Sequence, residues 1–408
     1  MTYPRVSLYA AMLAAAGTPL YIHLPQFASV NLGIGLGALG GILLAIRLLD
    51  LIQDPVIGWA VDRWPGAQAL FAWFAVAGLA LGFPLLFTLE AGGDSIVKLV
   101  LVLALLFTAY SLGMILLYGR SATLAQSASR DDLLTLAAYR EAGMLGGVIL
   151  AAIAPAVFVA LGASGQGYAM FGYTLGAVAI GAGVISAPMW RRPAVTGQPL
   201  SIAGFAQAGA FRLLGLAVLN SLPVALTSTL FLFFVQDHLD LPNMAGPLLV
   251  LFFLAAGVSV PFWTGLSHRI GAKPTLLIAM PLAICSFAGA SLLGPGDAVL
   301  FAVICIASGA ALGADMTLLP AMFSIALTKA GLNASSAFGL WTFAGKLALA
   351  LTAAIALPLL EQSGFQPNAD NSPEAVQTLV WAYAVLPCFL KISAFGCAML
   401  LPTESSTL

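Results

Sequence analysis

The sequence predicts an all-α membrane protein with twelve transmembrane helices arranged as two pseudo-symmetric six-helix bundles. Three observations carry this expectation. Only 31 of the 408 residues are charged (15 Lys+Arg and 16 Asp+Glu), which is 8%; a soluble chain at about 25% would carry roughly 100. Apolar residues make up 61% and gather into runs of about 20 or more, the length a helix needs to cross the hydrocarbon core. Lys and Arg concentrate on alternate connections between these runs. So thin a charged skin excludes a soluble enzyme and a disordered chain. The net charge of −1 leaves no basic footprint for nucleic acid. The long unbroken runs read as helices rather than as the alternation of a barrel.

In chain order, the predicted spans are 6–30, 36–61, 69–89, 98–122, 135–161, 167–190, 210–235, 245–267, 272–293, 298–327, 335–360 and 376–401. The first follows Arg5 and stays apolar to Val30, too long for the apolar core of a typical signal peptide. With the N-terminus inside, the cytoplasmic segments hold Arg5, Arg63, Arg120, Arg130, Arg191, Arg192, Arg212, Arg269, Lys273 and Lys329, and the outer ones only Lys98. This places both termini in the cytoplasm, and the chain is expected in the plasma (bacterial inner) membrane. The connection 191–209, with Pro193 and Pro199, separates an N-terminal bundle (1–190) from a C-terminal one (210–408). The halves echo each other: aligning Pro55 with Pro261 also aligns Arg63 with Arg269 and Gly41 with Pro247. Such a repeat implies two bundles around a central cavity, the architecture of a secondary transporter. The four cysteines (285, 305, 388 and 397) lack metal-ligand spacing and read as small core residues.

Eight charges remain inside the spans away from their ends, although each costs roughly 2.5–3.5 kcal/mol at a helix centre. They balance: Arg47, Arg140, Lys346 and Lys391 against Asp50, Asp54, Glu141 and Asp315. Span two is the densest. Arg47, Asp50 and Asp54, at i, i+3 and i+7, share one helix face, with Gln53 beside Asp50. Pro55 has no N–H, so the Leu51 carbonyl loses its helical donor. Two carboxylates, a carboxamide oxygen and a freed carbonyl suit a hard cation or a proton, and two neighbouring carboxylates raise each other's proton affinity. The alternative is a structural Arg–Asp bridge at a polar helix end.

RLLDLIQDPVIGWAVDR (47–63) resembles the span-two signature of the glycoside–pentoside–hexuronide:cation symporters, a melibiose-permease-like group within the major facilitator superfamily. GWAVDRWPG (58–66) resembles the superfamily loop between spans two and three. AAYREAGMLGG (137–147), VLNSLPVALTSTLFLFFVQDHL (218–239) and AFGLWTFAGKLALAL (337–351) are similar to the family's span-five, span-seven and span-eleven segments. The resemblance implies the major facilitator fold. It makes Asp50 and Asp54 the coupling-cation ligands, with Gln53 where relatives often have Asn, and puts Arg140 and Lys346 in the central cavity. The remaining readings are an Arg140–Glu141 pair or a snorkelling Arg140, and a bridge from Lys346 to a span-two aspartate. Some of the family's residues are missing. Span one carries no acid, Ile115 stands near the family's span-four acid, and Leu112 stands near a cation-site hydroxyl. These departures argue against a galactoside and favour the proton over sodium.

Other polar residues at membrane depth fill out the substrate-binding candidates: Tyr21 and His23 in span one, Asn220 before Pro223, Asp315 before Pro320, and Trp341 with Thr342 one turn before Lys346. For each, packing or a helix–helix bond is the alternative, and Lys391 reads as snorkelling to the inner interface. Gly143, Gly147 and Ala151 form a small-residue ridge. The expected function is cation-coupled symport of a small organic solute by alternating access, with the proton or sodium as coupling ion. No cofactor, no catalytic residue, no metal beyond possible sodium at Asp50 and Asp54, and no nucleic-acid partner is expected, and the chain is read as a monomer in the lipid bilayer. The competing reading is an exporter on the same fold, either a proton-coupled antiporter of amphipathic compounds or a lipid flippase.

Overall fold

A computed structural model describes residues 2–402 apart from 21–23, 25–26, 29–30, 35, 161–166, 196, 242 and 367–370. Runs of apolar and small residues form long helices: α1 (Tyr3–Thr18), α2 (Leu36–Arg63), α3 (Gln68–Phe87), α4 (Ser95–Gly119), α5 (Arg130–Ala160), α6 (Gly167–Ser186), α7 (Ala210–Phe233), α8 (Ala245–Ile270), α9 (Ala272–Ala290), α10 (Ala298–Lys329) and α11 (Ser335–Gln362). The last, α12, comprises Pro373–Val380 and Leu386–Met399, joined by a π turn over Trp381–Val385. Among the described residues nine helices, all but α1, α2 and α11, are long and apolar enough to cross a membrane. No strand occurs there; a lone parallel bridge pairs Gln198 with Leu332. Tyr21 and His23 lie outside the described residues, as does the side chain of Arg47.

The chain divides into two compact units, the first comprising Met1–Phe205 and Leu327–Phe343, the second Ala206–Ala326 and Ala344–Leu408. In the first, α1 packs along α5 and α6, α3 along α4 and α6, and α2 along α4. The small-residue ridge explains the α1–α5 approach. A Cβ added at Gly143 would sit 2.1 Å from the Ser7 carbonyl oxygen, and one at Gly147 2.2 Å from that of Ala11. Only hydrogen fits there, so the backbones can touch.

The second unit uses the same device between α8 and α10. Gly309 and Gly313 leave no room for a Cβ against the carbonyls of Phe252 and Ala256. The Ala310 carbonyl in that seam accepts from Ser259 Oγ (3.1 Å) and Trp263 Nε1 (2.7 Å). The second segment of α12 packs on α7 and α9. Lys273 Nζ donates to the carbonyls of Met399 (2.9 Å) and Leu401, capping the end of α12 with positive charge. Phe234, Phe301 and Tyr383 form an aromatic cluster, with Phe234 and Tyr383 stacked at 4.0 Å. The core reading of the cysteines needs correction. Cys305 is buried and Cys388 half-buried, but Cys285 and Cys397 are exposed, because small thiols sit as comfortably on an apolar outer helix face as inside.

Candidate functional site

The candidate site in the first unit begins on α2. Asp50 and Asp54 are both fully buried. They lie four residues apart, so they project from one helix face. Gln53 Nε2 donates to Asp50 Oδ1 at 2.7 Å. Its Oε1 accepts from Thr108 Oγ1 on α4 at 2.9 Å. The structure therefore joins Asp50, Gln53 and Thr108 across the α2–α4 seam, with the buried Asp54 on the same face of α2 as Asp50. Thr108 is a residue that the sequence reading passed over. Its signal was present: it stands one helical turn before Leu112, the position read as having lost a cation-site hydroxyl.

Pro55 lies inside α2, where its missing N–H frees a carbonyl. The start of α11, which belongs to the same unit, passes directly over this turn. A Cβ on Gly339 would stand 2.7 Å from the Asp54 carbonyl oxygen. Gly339 thus permits a backbone-to-backbone approach at the carboxylate pair.

A second group forms where α5 meets the end of α4. Arg140 Nε pairs with Glu141 Oε1 at 2.9 Å. The Tyr118 hydroxyl donates to the same oxygen at 2.7 Å, and the Arg140 guanidinium lies 3.7 Å from the centre of the Tyr118 ring. Arg140 Nη2 and Glu141 Oε2 are buried without a hydrogen-bond partner. The pair reading of Arg140 is thus what the structure displays, and its snorkelling alternative is corrected: the side chain is only 1% exposed, held by the carboxylate and the ring rather than reaching for the interface. Tyr118 went unnoticed in the sequence because a tyrosine at a span end reads as an interface residue. Its ring contacts Phe338 (5.5 Å), which contacts Trp341 (6.1 Å). Through these rings Arg140 and Glu141 connect to Trp341, while Thr342 Oγ1 bonds its own helix at Phe338 O (2.9 Å).

The last turn of α2 fastens the beginning of α11. Asp62 Oδ1 accepts from Ser335 N (3.2 Å), and Oδ2 accepts from Ser336 N and Ser336 Oγ (both 2.7 Å). A carboxylate here satisfies the orphan N–H groups and opposes the positive end of the helix. Gly58 and Gly119 admit this contact, since a Cβ on either would overlap Ser335 at 2.6 Å. Arg120 donates to the Val61 carbonyl. The stretch after α6 adds a strap. Gly197 N donates to Asn333 Oδ1 (2.7 Å), Gln198 N to Gly331 O (2.7 Å), and Asn333 N to Gln198 O (2.9 Å).

The second unit holds the other predicted residues. Asn220 and Asp315 are buried together around Lys391. Lys391 Nζ donates to Asn220 Oδ1 at 2.6 Å and pairs with Asp315 Oδ2. The snorkelling expected of Lys391 is therefore corrected: it is 1% exposed and turned into the bundle. Lys346, on the part of α11 that belongs to the second unit, is half-buried.

Comparisons with known proteins agree with this architecture. A family model described as "MFS/sugar transport protein" matches residues 6–404. Two solved structures similar to the chain are of a bacterial homologue of the iron transporter ferroportin in an outward-facing state. The first has a TM-score of 0.71 at 13% identity, covering 97% of this chain and 99% of the other. The second, with soaked iron, has a TM-score of 0.69 at 14% identity, covering 98% and 99%. At such identity the likeness is one of fold. No curated protein matches the sequence significantly. A family match over nearly the whole chain, apolar helices of membrane length and a transporter fold together place it: the chain belongs to the MFS/sugar transport protein family, and is an integral membrane protein with the fold of a secondary transporter.

Proposed function

We propose that the chain is a cation-coupled symporter that carries a small organic solute across the bacterial inner membrane as a monomer, by alternating access, with both termini in the cytoplasm. The observation that carries this reading is the pair of fully buried carboxylates Asp50 and Asp54 on one face of α2, with Asp50 linked through half-buried Gln53 to the exposed Thr108 on α4. Ionisable side chains at membrane depth are costly and mark ion pathways. Two carboxylates one turn apart bind one positive charge in common, and that charge repays their burial.

The proton is the favoured ion. The missing hydroxyl near Leu112 no longer weighs against sodium, because Thr108 brings one to Gln53. The preference now rests on the buried carboxylates themselves, which hold a proton without a full shell of hard oxygen ligands. Cation binding at the pair neutralises it, solute binds, and the loaded carrier changes its exposed face. Arg140, Glu141, Arg47 and Lys346 form the charge network around this event. Tyr21, His23, Asn220, Asp315, Trp341 and Thr342 are the proposed solute contacts.

The test is a stabilisation screen of the purified chain against sugars, organic acids and amino acids, with and without sodium at two pH values. A solute that binds raises the unfolding midpoint. Symport predicts that its effect grows with the coupling ion and that Asp54→Asn removes this ion dependence. Stabilisation equal under all four conditions contradicts the reading.

A further inference from the structure

The Lys391–Asp315–Asn220 cluster belongs to the second unit alone and is separate from the α2 carboxylates. Three helices each contribute one residue: α7 gives Asn220, α10 gives Asp315, and α12 gives Lys391. All three are at least nine-tenths buried. Lys391 Nζ is shared between Asn220 Oδ1 and Asp315 Oδ2. The other carboxylate oxygen, Asp315 Oδ1, is buried with no hydrogen-bond partner. A buried ion pair rarely repays its desolvation unless the remaining lone pairs are also satisfied. Here one oxygen is not, so the cluster is poor as a structural staple. What that oxygen can accept is a proton.

The surroundings single out this carboxylate. Asp315 is the sole acidic residue on α7, α9 and α10. The other ionisable side chains of the packed helices are committed or remote. Arg212 lies exposed in the first turn of α7. Lys273 of α9 holds the end of α12. Cys285 is exposed, and the Cys388 thiol contacts the Ile284 carbonyl at 3.5 Å. Cys305 and Tyr383 sit at the aromatic cluster, Cys397 is exposed, Glu374 begins α12, and Lys329 ends α10. Lys346 and Glu361 of α11 are half-buried and exposed respectively.

We infer that Asp315 is a second proton-binding site of this chain, with Lys391 as the cation that the proton displaces. In the proton-free form the carboxylate and ammonium neutralise each other. A proton taken from water onto Asp315 forms the neutral carboxylic acid, which no longer holds Lys391 by charge. The ammonium keeps its own three protons and its bond to Asn220, and the site goes from net zero to plus one. The protonated form is thus a cationic site on the α7–α10–α12 faces, and in transport it favours a solute bearing an anionic group. That use rests on the symport reading above; the proton site itself does not.

The test is infrared difference spectroscopy of the full chain in detergent, titrated from mildly alkaline to acidic pH. The carbonyl band of a protonated carboxylic acid reports the proton directly. One band is expected to grow on acidification, to vanish in Asp315→Asn, and to persist in the Asp50→Asn/Asp54→Asn double variant. In Lys391→Met, where no ammonium opposes protonation, it is expected at every pH tested. Asp315→Glu, which keeps the charge, is expected to shift the band while preserving its titration, and serves if the Asn variant does not fold. A wild-type band unchanged by both Asp315→Asn and Asp315→Glu overturns the assignment. A wild-type spectrum with no band that the Asp50→Asn/Asp54→Asn double variant removes, the Asp315 band being intact, counts against the α2 coupling site alone.

Discussion

Removing the Asp62 carboxylate tests how the start of α11 is held. In Asp62→Ala three hydrogen bonds disappear, two from backbone N–H groups and one from the Ser336 hydroxyl. Bonds to a charged group contribute roughly 1.5–3 kcal/mol each before screening. Asp62 is half-exposed and water replaces part of the loss, so the sum shrinks to about 2–4 kcal/mol, including roughly 0.3–1 kcal/mol from the helix dipole. Asp62→Asn keeps one acceptor but turns an amide N–H toward another donor, and is expected to cost about 1–2 kcal/mol. Ser336→Ala loses a single bond and is expected to cost about 0.5–1.5 kcal/mol. Equilibrium unfolding in mixed micelles, followed by tryptophan fluorescence, measures all three. The order Asp62→Ala, then Asp62→Asn, then Ser336→Ala is the prediction. An Asp62→Ala variant as stable as Ser336→Ala refutes the view that the carboxylate organises this helix start.

Three further outcomes follow from the packing and the polar chains. Gly147→Ala places a methyl 2.2 Å from the Ala11 carbonyl and should destabilise by about 1–3 kcal/mol. Gly146→Ala, with open space around it, should be neutral or gain up to about 1 kcal/mol; the same unfolding titration compares them, and equal effects contradict the α1–α5 contact. Tyr118→Phe leaves Glu141 short of a donor and should cost about 1–3 kcal/mol. Tyr118→Leu should cost more, since it also removes the ring beneath Arg140. Thr108→Val should weaken whatever ion dependence the solute shows in the stabilisation screen while leaving unfolding in the absence of solute within about 1 kcal/mol of wild type.

Much of this was legible in the chain because helices expose their periodicity. The spacing of Asp50, Gln53 and Asp54 put them on one face, and the structure joins Gln53 to Asp50. Glycines four apart marked a close-approach ridge on α5, and the structure seats α1 on it. Periodicity tells which residues share a face but not which helix the face meets. Thr108 and Tyr118 matter through partners 55 and 23 residues away, and nothing local marks them. Gly309 and Gly313 share the spacing of the α5 ridge, yet in a chain with 42 glycines such a pair stands out only once its neighbour is known. Lys391 was misread because its distance from the helix end looked bridgeable. It stands eight residues before Met399, roughly 12 Å along the axis at 1.5 Å per residue, and Asp315 is nearer. Charge balance among the eight interior residues hinted at pairing, but four cations and four anions allow many pairings, and only packing selects Lys391 with Asp315 and Arg140 with Glu141.

The central claim is that the buried α2 carboxylates couple an ion gradient to solute movement. The most direct measurement compares gradient-driven uptake with solute counterflow in proteoliposomes holding wild-type or Asp54→Asn protein, using a solute identified by the stabilisation screen. Counterflow needs the carrier to exchange solute but not to be driven by the gradient. Uptake against a gradient lost in Asp54→Asn while counterflow persists is the predicted result. Undiminished gradient-driven uptake by that variant contradicts the claim.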